Sequence, residues 1–414
     1  MKFGYFITCL LAEGIAGIAI KSPRHPGTAC QTTGRAVYLI TNDQVNAVVA
    51  LPIAADGTLS QGTVTASGGN GSNSIDGTTM EAAAPDALVG QSALTIAGQN
   101  IFAVNAGSNS LSMLSISATD PTQLSLIGQP MPVPGEFPNT VAASAKHSIA
   151  CVAMTGAVAG ISCAPFSRSQ GLGAMDALRA FDLGQTTPPV GPTNTISHIF
   201  ADADASAFVT MVKGDPATNK TGFVSVLPVE DAASSSCAGK NKAVAAAAED
   251  VRSSPAGTAV LFGSQNVPGQ QGRVFATDAS FGAAVLSLDA KTGTASVVGK
   301  GTIDGQKATC WSAFSPATGT MFVSDVGVPR LVEMSAENAS IISTVDLSAG
   351  GDPGFIDLEA AGGFLYALSP GNGTTDAAIV VMDVSGGQGT ATPIQRFSLD
   401  GVAGKNAQGM AILK

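Results

Sequence analysis

Val37-Tyr38-Leu39-Ile40-Thr41-Asn42 is a short apolar run that ends in two small polar residues, and it decides the fold because six similar runs follow it. The later runs begin at Ile101, Ile149, Ala207, Arg273, Met321 and Phe364. Further apolar runs follow six of them, at 45–51, 110–116, 223–227, 283–288, 330–334 and 378–384. Because the runs are short, rich in β-branched residues and bounded by turn residues, they are predicted to be strands. The chain therefore repeats a unit of three or four strands about every fifty residues.

Seven such units predict a β-propeller, because a small sheet can bury both faces only against neighbouring sheets in a closed ring. Little sequence before Val37 could supply an innermost strand, whereas the chain ends in an unassigned run, Gln408-Gly409-Met410-Ala411-Ile412-Leu413. We expect this run to lie beside Tyr38 and Ile40, to complete the first blade and to close the ring. The sequence thus predicts an all-β fold, with one seven-bladed propeller over residues 20–414.

Charge and composition exclude several classes of protein. The 414 residues include 20 Lys and Arg against 30 Asp and Glu, which gives a net charge of −10, and they form no basic cluster. Nucleic acid is therefore not an expected partner. A chain that is 45% hydrophobic and only 12% charged favours a large core over disorder, and we expect a monomer.

The N-terminus has the features of a secretory signal peptide. Lys2 precedes an apolar run, and Gly17-Ile18-Ala19 supplies the small residues of a cleavage site, so residues 1–19 are expected to be removed. Glu13 interrupts the run, which is too short to span a membrane. The mature protein is predicted to be secreted, either extracellular or in the cell wall.

Export predicts glycans and disulfides. Sequons occur in turn-like stretches at Asn70, Asn219, Asn338 and Asn372. Removal of the signal peptide leaves an odd number of cysteines, namely Cys30, Cys151, Cys163, Cys237 and Cys310. Cys151 and Cys163 would face each other in a hairpin, where a disulfide would stabilise the protein by about 3 kcal/mol. A bridge from Cys237 to Cys310 is a second hypothesis, and it leaves Cys30 unpaired.

The segment Cys310-Trp311-Ser312-Ala313-Phe314-Ser315-Pro316, which continues to Met321-Phe322-Val323-Ser324-Asp325-Val326-Gly327, resembles a known blade motif. It is similar to the blades of seven-bladed lactonase-like propellers with YVTN-type repeats, which include 6-phosphogluconolactonase and secreted fungal 3-carboxymuconate-cyclase-like proteins. Weaker resemblances to the same family occur at Val37–Asn42, Phe364–Ser369 and Ala407–Ala411. The resemblance implies a propeller whose active members are lactonases or lactonising isomerases with a small carboxylated or lactone substrate.

Such chemistry needs a proton donor or acceptor beside a cation that binds a carboxylate. His198, expected on the inner strand of blade four, is the candidate acid or base, with a hydrogen-bonded structural histidine as the alternative. Asp325 and Arg330 would pair across a turn, and Arg330 would hold the anion. His147 is expected in a turn on the opposite face, and His25 in the N-terminal tail.

Four further residues are candidate ligand contacts. Asn42, Asn105 and Asp278 end second strands and so would face the ligand, although such residues commonly accept hydrogen bonds from turns. Trp311 could stack on a ligand or pack between blades. No phosphate-binding loop, dinucleotide fingerprint, serine elbow or zinc motif occurs, so neither a cofactor nor a metal is predicted.

Two hypotheses for the function follow. The first is a non-catalytic extracellular glycoprotein whose propeller is a binding or antigenic surface for an extracellular or cell-wall partner. The second is an active lactonase or cycloisomerase that uses His198 and Arg330. The scarcity of histidine and the lack of the family's usual basic pair favour the first.

Overall fold

The computed structural model describes residues 34–231 and 244–414, which form seven antiparallel sheets. The innermost strands of neighbouring sheets contact one another all the way round a ring. The prediction of an all-β, seven-bladed propeller is confirmed. The predicted signal peptide and its cleavage site, as well as His25, Cys30 and Cys237, lie outside the described residues.

Each blade is a sheet of four or five strands, which follow one another from the centre outward. Blade one consists of β33 (Gln408–Leu413), β1 (Ala36–Ile40), β2 (Ala47–Pro52) and β3 (Thr63–Ala66). Blade two consists of β5 (Leu94–Ala97), β6 (Asn100–Asn105), β7 (Ser110–Ile116), β8 (Leu124–Leu126) and β9 (Met131–Pro132). Blade three consists of β10 (Pro138–Ser144), β11 (Ile149–Met154), β12 (Ala159–Ser167), β13 (Gly171–Leu172) and β14 (Arg179–Phe181).

The remaining blades follow the same order. Blade four consists of β16 (Ile196–Ala201), β17 (Ala207–Val212), β18 (Phe223–Asp231), β19 (Val244–Ala246) and β20 (Val251–Ser253). Blade five consists of β21 (Leu261–Asn266), β22 (Arg273–Asp278), β23 (Gly282–Leu288) and β24 (Ala295–Thr302). Blade six consists of β25 (Thr309–Ser315), β26 (Thr320–Asp325), β27 (Val328–Met334) and β28 (Ile341–Asp346). Blade seven consists of β29 (Ile356–Ala361), β30 (Phe364–Ser369), β31 (Ala378–Asp383) and β32 (Thr392–Ser398).

Two short strands lie outside the blades. They are β4 (Ile75–Asp76) and β15 (Val190–Gly191), which pair in parallel and join the long loop after β3 to the segment before blade four. Single 3₁₀ turns occur at Ala106–Ser108, Pro216–Thr218 and Ser348–Gly350. No helix in the described part of the chain is long and apolar enough to cross a membrane.

The C-terminal strand closes the ring. β33 pairs antiparallel with β1, so that Ala411 lies opposite Tyr38 and Met410 opposite Leu39. On its two sides β33 contacts β29 and β5, the inner strands of the neighbouring blades. Because Met410 and Ile412 are buried, the first and last parts of the chain share one core. The expected closure is confirmed.

Burial follows the position of a strand in its blade. The second strands are almost wholly buried because both of their faces pack against neighbouring blades. The outermost strand β28 instead alternates between exposed and partly buried residues. The seven runs that predicted the repeat are β1, β6, β11, β17, β22, β26 and β30, which are all second strands.

Cys151 and Cys163 lie opposite each other in the β11–β12 pair and form the predicted disulfide. The sequence suggested a bridge between Cys310 and Cys237, but Cys310 carries a free, buried thiol. Its pKa is raised well above the ordinary value by burial. His147 lies in the turn between β10 and β11, as expected.

Candidate functional site

One end of the central channel is closed by the chain itself. The segment Leu88–Gln91, which we call the channel plug, belongs to the long connection between β3 and β5. Asn139 Nδ2 on blade three donates to the carbonyl of Leu88 at 3.2 Å, and the Gln91 N–H donates to the carbonyl of Ser197 on blade four at 2.7 Å. Gln91 Nε2 donates to the carbonyl of Ser312 on blade six at 3.0 Å. The plug therefore connects three blades across the end at which the inner strands begin.

A buried lysine also holds the plug in place. Lys213, directly after β17, is only 2% exposed, and its Nζ donates to the carbonyl of Val89. The ammonium also lies 4.3 Å from the ring centroid of Phe262, a cation–π contact. Burial lowers the pKa of Lys213 to about 8, against the opposing charge of Asp86. Burial raises the pKa of Asp86 to about 6, and its Oδ1 accepts a hydrogen bond from Gln408 Nε2 at 3.3 Å.

A cavity of about 160 Å³ lies in the channel beyond the plug, toward the ends of the inner strands. We call it the channel cavity. Its lining combines mostly polar side chains with two apolar ones: Gln91, Ser92, His198, Phe200, Ser264, Gln265, Asn266, Glu359 and Met410. Within the described ranges, no lysine or arginine contributes to this lining.

His198 is a neutral hydrogen-bond donor in the channel cavity. The side chain on β16 is only 4% exposed, and its Nδ1 accepts the Ser264 N–H at 3.1 Å. The ring proton must therefore be on Nε2. Burial lowers the pKa of His198 to about 3, so the imidazole stays uncharged at neutral pH. An occupied Nδ1 and a protonated Nε2 leave the ring able to donate but not to accept a proton.

Among the described residues, Glu359 is the one acidic residue in the cavity lining. It lies on inner strand β29, and burial raises its pKa to about 7. The Lys414 charge and the Ala360 N–H oppose this rise only in part. Sequence reasoning missed Glu359, although a lone glutamate in the run Ile356-Asp357-Leu358-Glu359-Ala360-Ala361 was a readable signal.

The amide side chains are oriented by backbone carbonyls. Gln265 Nε2 donates to the Ser312 carbonyl at 3.0 Å, and Asn266 Nδ2 donates to the Ala201 carbonyl at 2.9 Å. Their side-chain oxygens remain as acceptors. The channel cavity therefore offers amide acceptors, an imidazole donor and a carboxyl group with a pKa near neutrality, which suits a small polar molecule.

No family model and no curated protein matches the sequence. Solved structures do match over most of the chain. The periplasmic gluconolactonase of Pseudomonas aeruginosa is similar with a TM-score of 0.60 at 12% identity, which covers 91% of this chain and 99% of that chain. A Bacteroides fragilis protein provisionally assigned as a 6-phosphogluconolactonase gives a TM-score of 0.57 at 10% identity, with 94% and 100% covered. A Desulfotomaculum acetoxidans protein of unknown function gives 0.56 at 9% identity, with 91% and 98% covered.

The fold that this chain shares with them is the seven-bladed β-propeller. At such low identities the likeness concerns the fold alone, so any statement about activity must come from the side chains of this chain.

The expected ion pair of blade six does not form. The Asp325 carboxylate accepts the N–H groups of Lys307, Ala308 and Gly327 at 2.7, 3.0 and 2.9 Å. Arg330 Nη2 donates to the carbonyl of Asp304 at 2.9 Å. The Asp325 carboxylate is therefore hydrogen-bonded to turn N–H groups and not to Arg330. Neither residue lines the channel cavity.

The other predicted ligand contacts are also engaged within the protein. Asn42 exchanges hydrogen bonds with the backbone of Ser72. Asn105 bonds the side chains of Asn46, Ser67, Ser110 and Ser112. Asp278 accepts the N–H groups of Ala259, Val260 and Ser280. Trp311 packs edge-on against Phe262, with the two ring centroids 5.0 Å apart. Of the predicted site residues that the structure describes, only His198 reaches the channel cavity.

The end of the channel at which these residues were expected to meet a ligand is the end that the plug covers. The cavity lies on the other side of the plug, which the strand pattern could not reveal. In the part of the chain that the structure describes, no group of three or more His, Cys, Asp or Glu side chains is placed to hold a metal ion.

Proposed function

We propose that this protein is a secreted, N-glycosylated binding protein that holds a small, uncharged polar molecule in the channel cavity without transforming it. The neutral donor His198 in a cavity without a lining cation is the observation that carries the proposal. A hydroxylated ligand could accept a hydrogen bond from Nε2 and donate to the amide oxygens of Gln265 and Asn266. A carboxylate ligand would meet no opposite charge there.

The same features argue against lactone chemistry carried out by His198 and Arg330. Opening or closing a lactone needs a group whose pKa lies near the working pH, beside a cation for the carboxylate. The pKa of His198 is about 3, and Arg330 lies on the third strand of blade six, outside the cavity lining.

Secretion, to the extracellular space or the cell wall, is supported by three independent features. The N-terminal sequence has the composition of a signal peptide. The Cys151–Cys163 disulfide suits an oxidising compartment. The sequon asparagines Asn70, Asn219, Asn338 and Asn372 are all exposed, as acceptors of glycans must be.

Glu359 supports an alternative function. A carboxyl group with a pKa of about 7 is a suitable general acid or base, and it shares the cavity with His198. The alternative is a lactonase or lactonising isomerase in which Glu359 transfers the proton and His198 only orients the substrate.

The two functions differ in turnover. The purified protein should be titrated calorimetrically with erythritol and glucose, and assayed for turnover of glucono-lactone and muconate-type acids. We expect saturable binding of a polyol or sugar that His198→Ala abolishes, and no turnover. His147→Ala, in an exposed turn, and Arg330→Ala are the controls and should leave binding unchanged. Turnover that falls in both His198→Ala and Glu359→Gln would establish the alternative, and an absence of any binding would refute the proposal.

A further inference from the structure

A second cavity, of about 260 Å³, lies between blades four and five on the outer part of the ring. It is formed by the turn after β16, by strands β17, β18, β20 and β22, and by the turn between β23 and β24. We call it the inter-blade pocket. It contributes nothing to the channel cavity except the shared residue Asn266.

The floor of the inter-blade pocket is apolar. It is made by Val209, Val226 and Val274, with Leu288 beside them. Val251 forms part of the wall and is 37% exposed. An apolar group of fragment size that covered this floor would remove hydrocarbon surface from water.

The rim of the pocket is acidic. Asp202, Asp204 and Asp289 lie on it, and Lys291 is the only cationic residue of the lining within the described ranges. The N–H groups of Thr292 and Lys291 lower the pKa of Asp289, so this carboxylate is ionised at neutral pH. A negative rim around an apolar floor complements a hydrophobic cation and repels an anion.

Asp289 has one carboxylate oxygen that is available to a ligand. Its Oδ1 accepts hydrogen bonds from Lys291 and Thr292, whereas its Oδ2 has no hydrogen-bond partner among the described residues. Asp204 is already engaged, since its Oδ2 accepts Gln271 Nε2 at 3.3 Å across the blade boundary. This hydrogen bond connects blades four and five at the rim of the pocket. Asp289 is therefore the rim carboxylate that we expect to contact a ligand.

We propose that the inter-blade pocket binds a small hydrophobic ammonium ion. The hydrocarbon part lies on Val209, Val226 and Leu288, and the ammonium donates to Asp289 Oδ2. A primary ammonium suits both the free oxygen of Asp289 and the negative rim, because it carries N–H donors and a full positive charge.

Three ligands of similar size separate the contributions of charge and hydrocarbon: phenethylammonium, 2-phenylethanol and 3-phenylpropanoate. Saturation-transfer NMR titrations should show the ammonium binding about fivefold more tightly than the alcohol, as expected for one exposed ion pair, with the carboxylate weakest. Raising the salt concentration should reduce the advantage of the ammonium over the alcohol.

Variants locate the site. Asp289→Asn should weaken phenethylammonium severalfold and leave 2-phenylethanol unchanged, whereas Lys291→Ala should strengthen the ammonium. Asp56→Asn is the matched control, because Asp56 accepts the same kind of turn hydrogen bonds, from Thr58, outside the pocket lining. Equal affinity for all three ligands, no binding of any ligand, or equal effects of Asp289→Asn and Asp56→Asn would overturn the proposal.

Discussion

Titration of Glu359 makes the stability of the protein depend on pH, and the substitution Glu359→Gln should remove this dependence. Its pKa rises from an ordinary 4.5 to about 7 on folding, because burial disfavours the charged carboxylate. A folded-state pKa above the unfolded one contributes stability that is complete below pH 4.5 and is lost as the pH rises through 7. The full difference is equivalent to roughly 3 kcal/mol.

Glu359→Gln keeps the shape of the side chain and removes the titration. In denaturant unfolding at pH 5 and pH 8, the variant should gain about 2 kcal/mol or more relative to the natural protein as the pH rises. Other groups titrate in both proteins, so their effects cancel except at buried Asp357. The Glu359 charge helps to raise the pKa of Asp357, so its removal adds to the expected gain. Glu337→Gln, at an exposed position, controls for the loss of one negative charge. A stability difference between Glu359→Gln and the natural protein that is the same at both pH values would refute the reasoning.

Further predictions concern closure, the disulfide and the glycans. Ile412→Ala on β33 should lower the free energy of unfolding by about 2–4 kcal/mol, and Ile394→Ala, whose side chain is 42% exposed on β32, by clearly less. Equal losses would contradict closure through β33. The Cys151→Ser/Cys163→Ser double variant should lose about 3 kcal/mol in the same unfolding assay, and an unchanged midpoint would argue against this. Changing Asn70, Asn219, Asn338 and Asn372 singly to Gln should each remove one glycan mass from the secreted protein, and an unchanged mass in all four variants would contradict glycosylation.

The fold could be predicted because its decisive signals are local or terminal. Buried second strands such as β1 and β30 are continuous apolar runs, so each blade is readable by itself. The disulfide follows from the register of a single hairpin. Closure by residues 408–413 follows from counting strands, since a ring cannot leave one apolar strand unpaired.

The candidate site was only partly predictable, because it depends on contacts between distant segments. The plug lies across the channel because the long connection after β3 crosses the ring. The hydrophobic periodicity of the sequence does not indicate the path of such a connection. Lys213 and Glu359 are single polar residues at the end of, or within, buried strands, and only the closed ring shows that they face its axis. Asp325 and Arg330 failed as a pair because backbone N–H groups, which a sequence does not display, compete for the carboxylate.

The state of the His198 ring tests the account most directly, because the proposed ligand binding depends on a neutral imidazole that donates from Nε2. Nitrogen-15 NMR of histidine-labelled protein, with His198→Ala for assignment, reports the charge and tautomer of each ring across pH. We predict that His198 keeps the neutral form with its proton on Nε2 at pH 5, and that a bound polyol shifts its Nε2 resonance. A His198 ring that titrates near pH 6.5 would contradict the account.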